Sequence, residues 1–358
     1  MPSTRDINIK TFAPLVPPQE LQRRLPMTEE LTEHVARSRQ TIVDILEGRD
    51  ERLMLIVGPC SIHDEEAAID YARRLKELAA EVQDRVFVVM RVYFEKPRTT
   101  VGWKGLIYDP HLDGSSDIAT GLYRARDVMI RVNELGLPAA TEFLDPFVPQ
   151  YISGLVSWAG IGARTTESQT HRQMASGLSM PVGFKNGTDG ETQTAVDAVL
   201  AAHNQHTFLG MDYDGNACVV QTLGNPACHL VLRGGRTGPN YSAEHVDKAA
   251  QQLAAAGLHQ SLLVDCSHGN SNKDHTRQAI AFRDVLEQRA NGDRRIAGCM
   301  LESHLEAGNQ KLGDDPAALV YGKSITDACV SWDETVELVR EAYEAQPATG
   351  NAVTVGGG

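Results

Sequence analysis

Val86-Phe87-Val88-Val89-Met90 runs without a break into Arg91-Val92-Tyr93-Phe94-Glu95-Lys96-Pro97-Arg98-Thr99-Thr100-Val101-Gly102-Trp103-Lys104-Gly105. The first five residues are all apolar, and four are β-branched or aromatic, which reads as a buried strand. The chemistry then changes abruptly. Arg91, Lys96 and Arg98 bring cations, Thr99 and Thr100 bring hydroxyls, and Pro97 fixes the backbone between two of the cations. Guanidinium and ammonium groups with hydroxyls on a stiffened loop suit a phosphate or a carboxylate. A solvated basic loop is the plain alternative, and scattered surface cations would favour it. Against it stands a repeat: a buried strand followed by reactive residues recurs along the chain.

Leu53 to Val57 is such a strand, ending in Gly58-Pro59-Cys60-Ser61. Asp64 can cap a helix with Ala68, Tyr71, Leu75, Leu78 and Val82 on one face. After Val86 to Met90, the spacing of Ile118, Leu122, Ala125, Met129 and Val132 predicts a helix closed by Gly136 and Pro138. Shorter strands follow. Ala139-Ala140-Thr141 leads to Glu142, and Ala159 to Ala163 leads to Arg164-Thr165-Thr166. Val182-Gly183-Phe184 leads to Lys185, Leu230-Val231-Leu232 to Arg233, Leu262-Leu263-Val264 to Asp265-Cys266-Ser267-His268, and Ala297 to Leu301 to Glu302. Helical patterns separate them, among them Ser242 to Gly257 and about Asp333 to Ala345. Repeated strand–helix units indicate a parallel sheet, and eight over about 300 residues indicate a closed (β/α)8 TIM barrel, an α/β fold.

Around the barrel lie extras. Residues 1–48 read as a Pro-rich arm and a helix capped by Thr28, apolar at Leu31, Val35, Ile42, Ile45 and Leu46 and ended by Gly48. The barrel covers 49–345. Between units five and six, about 207–222, Thr207 to Gly210 and Ala217 to Gln221 flank Asp214-Gly215-Asn216, the mark of an inserted β-hairpin. Residues 346–358, Gly-rich from Thr349, read as a flexible tail.

The chain has 358 residues, 42% of them hydrophobic, enough for a sizeable core. Its net charge of −13 argues against nucleic acid or an anionic membrane as partner, so any anion site must gather its cations locally. No leading apolar segment and no membrane-length run is present, and six cysteines without a Cys-x-x-Cys pair suit a reducing, cytoplasmic setting.

In a barrel of this type the active site forms at the C-terminal strand ends. The first reactive residues there are Cys60, Arg91, Glu142, Arg164, Lys185, Arg233, His268 and Glu302. Each alone has a structural reading: a small buried cysteine, an ion-pair partner, a satisfied histidine. All eight on one rim do not. Arg91, Lys96, Arg98, Arg164, Lys185 and Arg233 make an anion site with room for more than one phosphate. Cys60, His268 and Glu302, with Asp327 beyond the last strand, offer S, N and O donors suited to a borderline divalent ion.

Gly58-Pro59-Cys60-Ser61-Ile62-His63, Arg91 to Gly105, Gly162-Ala163-Arg164-Thr165-Thr166-Glu167-Ser168, Gly183-Phe184-Lys185-Asn186-Gly187-Thr188, Leu232-Arg233-Gly234-Gly235, Asp265-Cys266-Ser267-His268 and Gly322-Lys323-Ser324-Ile325-Thr326-Asp327 resemble the class I, feedback-regulated 3-deoxy-7-phosphoheptulonate synthases of bacteria and fungi. The resemblance runs from the arm to about residue 345. It implies condensation of phosphoenolpyruvate with erythrose 4-phosphate, the first step of the shikimate pathway. It implies one divalent metal (Mn, Fe, Co or Zn) on Cys60, His268, Glu302 and Asp327. Phosphoenolpyruvate falls to Arg91, Lys96, Arg164, Lys185 and Arg233, and erythrose 4-phosphate to Arg98 and Thr99 with Lys96 and Pro97; Asp327 counts among the substrate-binding residues as well. Lys96 and Glu142, with Cys60 and His268, are the catalytic candidates. Cys266 is not counted as a ligand. Cys329, two residues past Asp327, is expected to approach Cys60 and to form a disulfide when the metal is oxidised.

The resemblance also implies that the arm and hairpin serve an aromatic amino acid effector and a homodimer or homotetramer. The matching positions are Phe143, Gln150, Leu178, Ser179, Phe208, Gly210 and Val220. Glycine rather than serine at 210 leaves room for a phenol hydroxyl, and Pro149 matches the phenylalanine and tyrosine forms, so tyrosine is favoured. A turn glycine without sensory role is the alternative. Two rival functions remain: the related eight-carbon sugar acid synthesis, opposed by Lys96-Pro97-Arg98-Thr99, and a catalytically silent sensor or partner-binding barrel, opposed by the intact ligand set.

Overall fold

The computed structural model describes residues 4–98, 100–313 and 315–347. The arm leads into two helices, α1 (Pro18–Arg24) and α2 (Glu29–Leu46). The alternation then runs β1 (Leu53–Gly58), α3 (Glu65–Val82), β2 (Val86–Arg91), α4 (Ile118–Glu134), β3 (Ala139–Glu142), α5 (Val148–Ile152), β4 (Trp158–Ile161), α6 (Gln169–Gly177), β5 (Val182–Lys185) and α7 (Gln193–Ala202). A hairpin follows, β6 (Thr207–Met211) and β7 (Ala217–Gln221), before β8 (Cys228–Leu232), α8 (Ala243–Ala255), β9 (Leu262–Asp265), α9 (Gln278–Ala290), β10 (Ile296–Glu302) and α10 (Trp332–Ala345).

Eight strands close into a parallel barrel in the order β1-β10-β9-β8-β5-β4-β3-β2, and β6-β7 stands apart as a two-stranded sheet. The ring closes through β1, which pairs Leu55 with Cys299 of β10 on one side and with Val88 of β2 on the other. Successive strand side chains point to opposite faces. Met54 and Ile56 join Val89, Ala140, Trp158, Val231, Leu263, Ala297 and Met300 in the barrel interior, while Leu53, Leu55 and Val57 pack outward with the helices. Both faces are therefore dry, which is why these strands are apolar throughout. Each fully buried Leu, Ile or Val contributes about 1.5–3 kcal/mol. Ile42, Ile45 and Leu46, from the end of α2, share the interior cluster and stopper the N-terminal mouth.

Expected caps are made. The side chains of Thr28 and Asp64 accept from the N–H groups of Leu31 and Ala67, and Ser331, not foreseen as a cap, accepts from the N–H of Glu334. Two details differ from the sequence reading. The fourth strand is Trp158–Ile161 rather than Ala159 to Ala163, because Trp158 fills the barrel interior. Gly183 leaves the space: a Cβ there would meet Trp158 Cζ2 at 2.5 Å. The indole N–H donates to His229 Nε2 at 3.1 Å, and His229 Nδ1 lies 3.0 Å from Ala227 O. Gln346, assigned above to the tail, is buried and accepts from Arg289 Nε at 3.0 Å and, through its carbonyl, from Arg85 at 3.2 Å. The tail from residue 348 onward lies outside the described residues. Among those described, no helix is long and apolar enough to cross a membrane.

Candidate active site

Arg91, Glu142, Lys185 and Glu302 are the last residues of β2, β3, β5 and β10. Cys60, Arg164, Arg233 and His268 come just after the ends of β1, β4, β8 and β9. All eight therefore sit on one rim. Cys60, Glu302 and Asp327 present donor atoms within 4.8 Å of one another. His268 joins them, with Nε2 3.6 Å from Glu302 Oε1 and 3.9 Å from Asp327 Oδ2. Asp327 arrives there because its loop folds back, bridging Ser303 to Val330 and Gly308 to Cys329.

Lys96 Nζ lies against this group, donating to Cys60 Sγ at 3.1 Å and to Cys60 O at 3.3 Å. Burial pushes the Cys60 thiol up to about 12; Glu302 adds to the push and Lys96 opposes it. Burial alone would depress the Lys96 ammonium, but Cys60, Glu302, Asp327 and Glu142 outweigh it and hold it above the usual lysine range. The Cys60 thiolate and the two carboxylates repel one another when ionised, and the His268 imidazole adds a nitrogen donor beside them. A divalent cation at their centre removes that repulsion, so the donor set fits one.

A cavity of about 580 Å³ opens beside this group. Lys96, Pro97, Arg98, Arg164, Lys185 and Arg233 line it, as do Glu142, His268 and Asp327. Arg91 does not. It is fully buried, donates to Glu302 Oε1 at 3.1 Å and stacks 3.9 Å above the Tyr93 ring centre, so it braces Glu302 from behind. Thr99 lies outside the described residues. Arg236, Lys273 and Thr188 also face the cavity, though the strand-end reading had passed over them.

The supporting residues were missed as well. Asp265, the last residue of β9, is fully buried. Its Oδ2 lies 2.8 Å from Lys185 Nζ and 3.0 Å from His268 Nδ1. Burial would raise this carboxyl, but Lys185 and His268 hold it well below the usual range. Three buried asparagines lock the loops. Asn186 Oδ1 accepts from the Arg233 N–H at 2.8 Å, and Asn240 Nδ2 donates to the same oxygen at 3.1 Å. Asn270 Nδ2 donates to Leu232 O and Asp265 O. His268 itself adopts φ +56°, uncommon for a side-chain-bearing residue. The Lys273 N–H to His268 O bond at 2.7 Å holds that turn.

The positions expected at the effector site are partly gathered. Phe208 pairs across the hairpin with Val220, and Gly210 with Cys218, on its half-buried face. A Cβ at Gly210 would come 2.6 Å from Val220 Cγ2. The hairpin base is tied to the Leu178 segment: Ser176 Oγ meets Thr222 Oγ1 at 2.7 Å, and Asn225 Nδ2 donates to Leu178 O at 3.1 Å, beside exposed Ser179. Gln150 Nε2 donates to Met211 O at 3.2 Å, and Gln22 Nε2 to Gln150 O at 3.0 Å, joining the hairpin to α1. Phe143 is fully buried, directly after β3.

Comparison with known proteins now bears on this rim. The family described as the DAHP synthetase I family matches residues 26–340. The chain belongs to the DAHP synthetase I family. Its relatives in this family include the Tyr-sensitive phospho-2-dehydro-3-deoxyheptonate aldolase of Escherichia coli (strain K12), 52% identical over 339 residues, 95% of each chain. The Phe-sensitive enzyme of the same organism is 52% identical over 340 residues, 95% of this chain and 97% of the other. Overall identity thus does not separate the two effectors. Among solved structures, the phospho-2-dehydro-3-deoxyheptonate aldolase of Francisella tularensis SCHU S4 superposes with a TM-score of 0.93 at 46% identity, covering 96% of this chain and 100% of that one.

Proposed function

We propose that this chain condenses phosphoenolpyruvate with D-erythrose 4-phosphate to 3-deoxy-D-arabino-heptulosonate 7-phosphate and phosphate, the first step of the shikimate pathway. The observation that carries the reading is the meeting, on one rim, of the Cys60, His268, Glu302 and Asp327 group with a cavity lined by Lys96, Arg98, Arg164, Lys185 and Arg233. Two polyanions repel each other, and this cationic wall offsets that repulsion while orienting both. Arg164, Lys185 and Arg233 take phosphoenolpyruvate; Pro97 and Arg98 take the aldose phosphate.

One divalent ion, of the manganese, iron, cobalt or zinc kind, would be held by Cys60, His268, Glu302 and Asp327 and would supply Lewis acidity toward the aldehyde oxygen. C3 of the enol attacks the aldehyde carbon. Lys96, kept as ammonium by its anionic neighbours, gives its proton to the alkoxide that forms. Water adds at C2, Glu142 orients or deprotonates it, and phosphate leaves with C–O cleavage. All six cysteines are free thiols, which suits a reducing cytoplasm. The arm and hairpin form the effector site and the contact between copies in a dimer or tetramer, with tyrosine as the effector.

The test is loss of phosphoenolpyruvate on addition of erythrose 4-phosphate, with and without chelator, then with arabinose 5-phosphate instead, then with each aromatic amino acid. Turnover that chelation abolishes and a divalent ion restores supports the reaction and the metal. Preference for arabinose 5-phosphate, or no turnover by folded protein with any metal, refutes it. Inhibition by phenylalanine but not tyrosine refutes the effector assignment.

A further inference from the structure

Glu95 stands between Phe94 and Lys96, is only 2% exposed, and takes no part in the steps above. Its carboxyl oxygens accept from three donors on two other segments. The Leu144 N–H reaches Oε2 at 3.2 Å, the Asp145 N–H reaches Oε1 at 3.0 Å, and the Tyr108 O–H reaches Oε1 at 3.1 Å. Leu144 and Asp145 lie just past β3; Tyr108 lies beyond the loop that carries Pro97 and Arg98. That loop closes on itself at a neck. The Lys96 N–H donates to Lys104 O at 2.9 Å, and Gly105, at φ +113°, backs so closely on Phe94 that a Cβ would collide with its carbonyl. Glu95 ties this neck to the rim. The next residue, Lys96, reaches Cys60, and Arg98 follows on the loop.

Burying a carboxyl group, charged or neutral, is expensive, and an apolar side chain of the same size is often no worse for stability. Here burial pushes the Glu95 carboxyl up to about 8, with the Asp145 and Leu144 amides pulling the other way. Lys96 and Arg98, by contrast, depend on where the neck sits.

We propose that Glu95 is a positioning residue: by holding the Leu144 and Asp145 amides it fixes the neck of the 97–104 loop, and so places Lys96 and Arg98 against the aldose phosphate. This rests on the condensation proposed above. Misplacement of reacting groups by about 1 Å costs on the order of 100-fold in rate. Glu95→Ala is therefore expected to lose roughly 100-fold in kcat/KM for erythrose 4-phosphate, with part of the loss as a raised KM for that substrate. The KM for phosphoenolpyruvate, set by Arg164, Lys185 and Arg233, stays near wild type. Glu95→Gln keeps the shape and one carbonyl acceptor but turns its NH2 toward one of the amides, so it falls between the two. The measurements are both KM values, kcat per folded molecule and Tm, on wild type and both variants. Wild-type turnover with a lower Tm but unchanged kcat and KM in Glu95→Gln makes the residue merely structural and overturns the inference. Equal rises in both KM values overturn it too. If Glu95→Ala does not fold, Glu95→Gln carries the decision. If wild type itself does not turn over this pair, the reaction proposed above has failed, which is a distinct result.

Discussion

Replacing Asp265 by asparagine removes one charge and leaves the volume almost unchanged. In the folded chain Asp265 neutralises Lys185, which is itself buried, at 2.8 Å, and holds His268 Nδ1 at 3.0 Å while accepting the Ser267 N–H at 3.0 Å. Asparagine can still accept from one of these groups, but it leaves the buried Lys185 ammonium without its direct partner. Breaking a buried pair in this way costs about 3–5 kcal/mol. At roughly 2.1 cal/mol/K of unfolding entropy per residue, a chain of this size loses about 4–7 °C of Tm. Because Lys185 and His268 hold the Asp265 carboxyl well below 3.8, its contribution is complete above that pH and disappears only as pH falls through the lower, folded value. The deficit of the variant is therefore expected to be constant across neutral pH. If His268 holds the metal as proposed, losing the partner that orients its imidazole weakens metal binding by about 10–100-fold. Thermal melts with and without metal, and competition against a chelator, measure both. A variant that melts within about 1 °C of wild type and holds metal equally well would refute the argument that Asp265 organises Lys185 and His268.

Lys96→Met is expected to lose about 10²–10⁴ of kcat while retaining metal, and near-normal turnover would remove Lys96 from the chemistry. Cys329 is fully buried, and its thiol faces the Cys60 backbone N–H. Wild type should lose activity in air through a Cys60–Cys329 disulfide, and Cys329→Ser should not; equal rates of loss would sink that idea. Burial lowers His229 to about 4, so its neutral form stabilises the fold above about 6.5, and this contribution fades as pH falls toward 4. Tm should drop over that window, and less in His229→Gln, whose carbonyl can still accept the Trp158 N–H; identical acid profiles would count against it.

The barrel was legible because a parallel strand covered on both faces must be apolar along its whole length, as Val86 to Met90 and Leu53 to Val57 are. Strand polarity then put Lys185, Arg233 and Glu302 on one rim without any need for coordinates. The reading slipped where the signal was not local. The fourth strand starts at Trp158 rather than Ala159, and the space that admits the indole is left by Gly183, 25 positions further on. For β9 the strand-end reading names His268, although Asp265 is an acid at a strand end as Glu142 and Glu302 are. Its partner Lys185 is 80 positions away.

The sequence by itself determined which residues crown the barrel, because burial and strand direction are properties of each segment. The tertiary structure alone decided how those residues divide the labour. Arg91 is buried and braces Glu302, Asp265 clamps Lys185 and His268, and Glu95 pins the neck of the loop that carries Arg98 to a segment 50 positions further on. Each of these depends on closing the ring, which brings distant strand ends within hydrogen-bond distance. No periodicity or local motif records that distance.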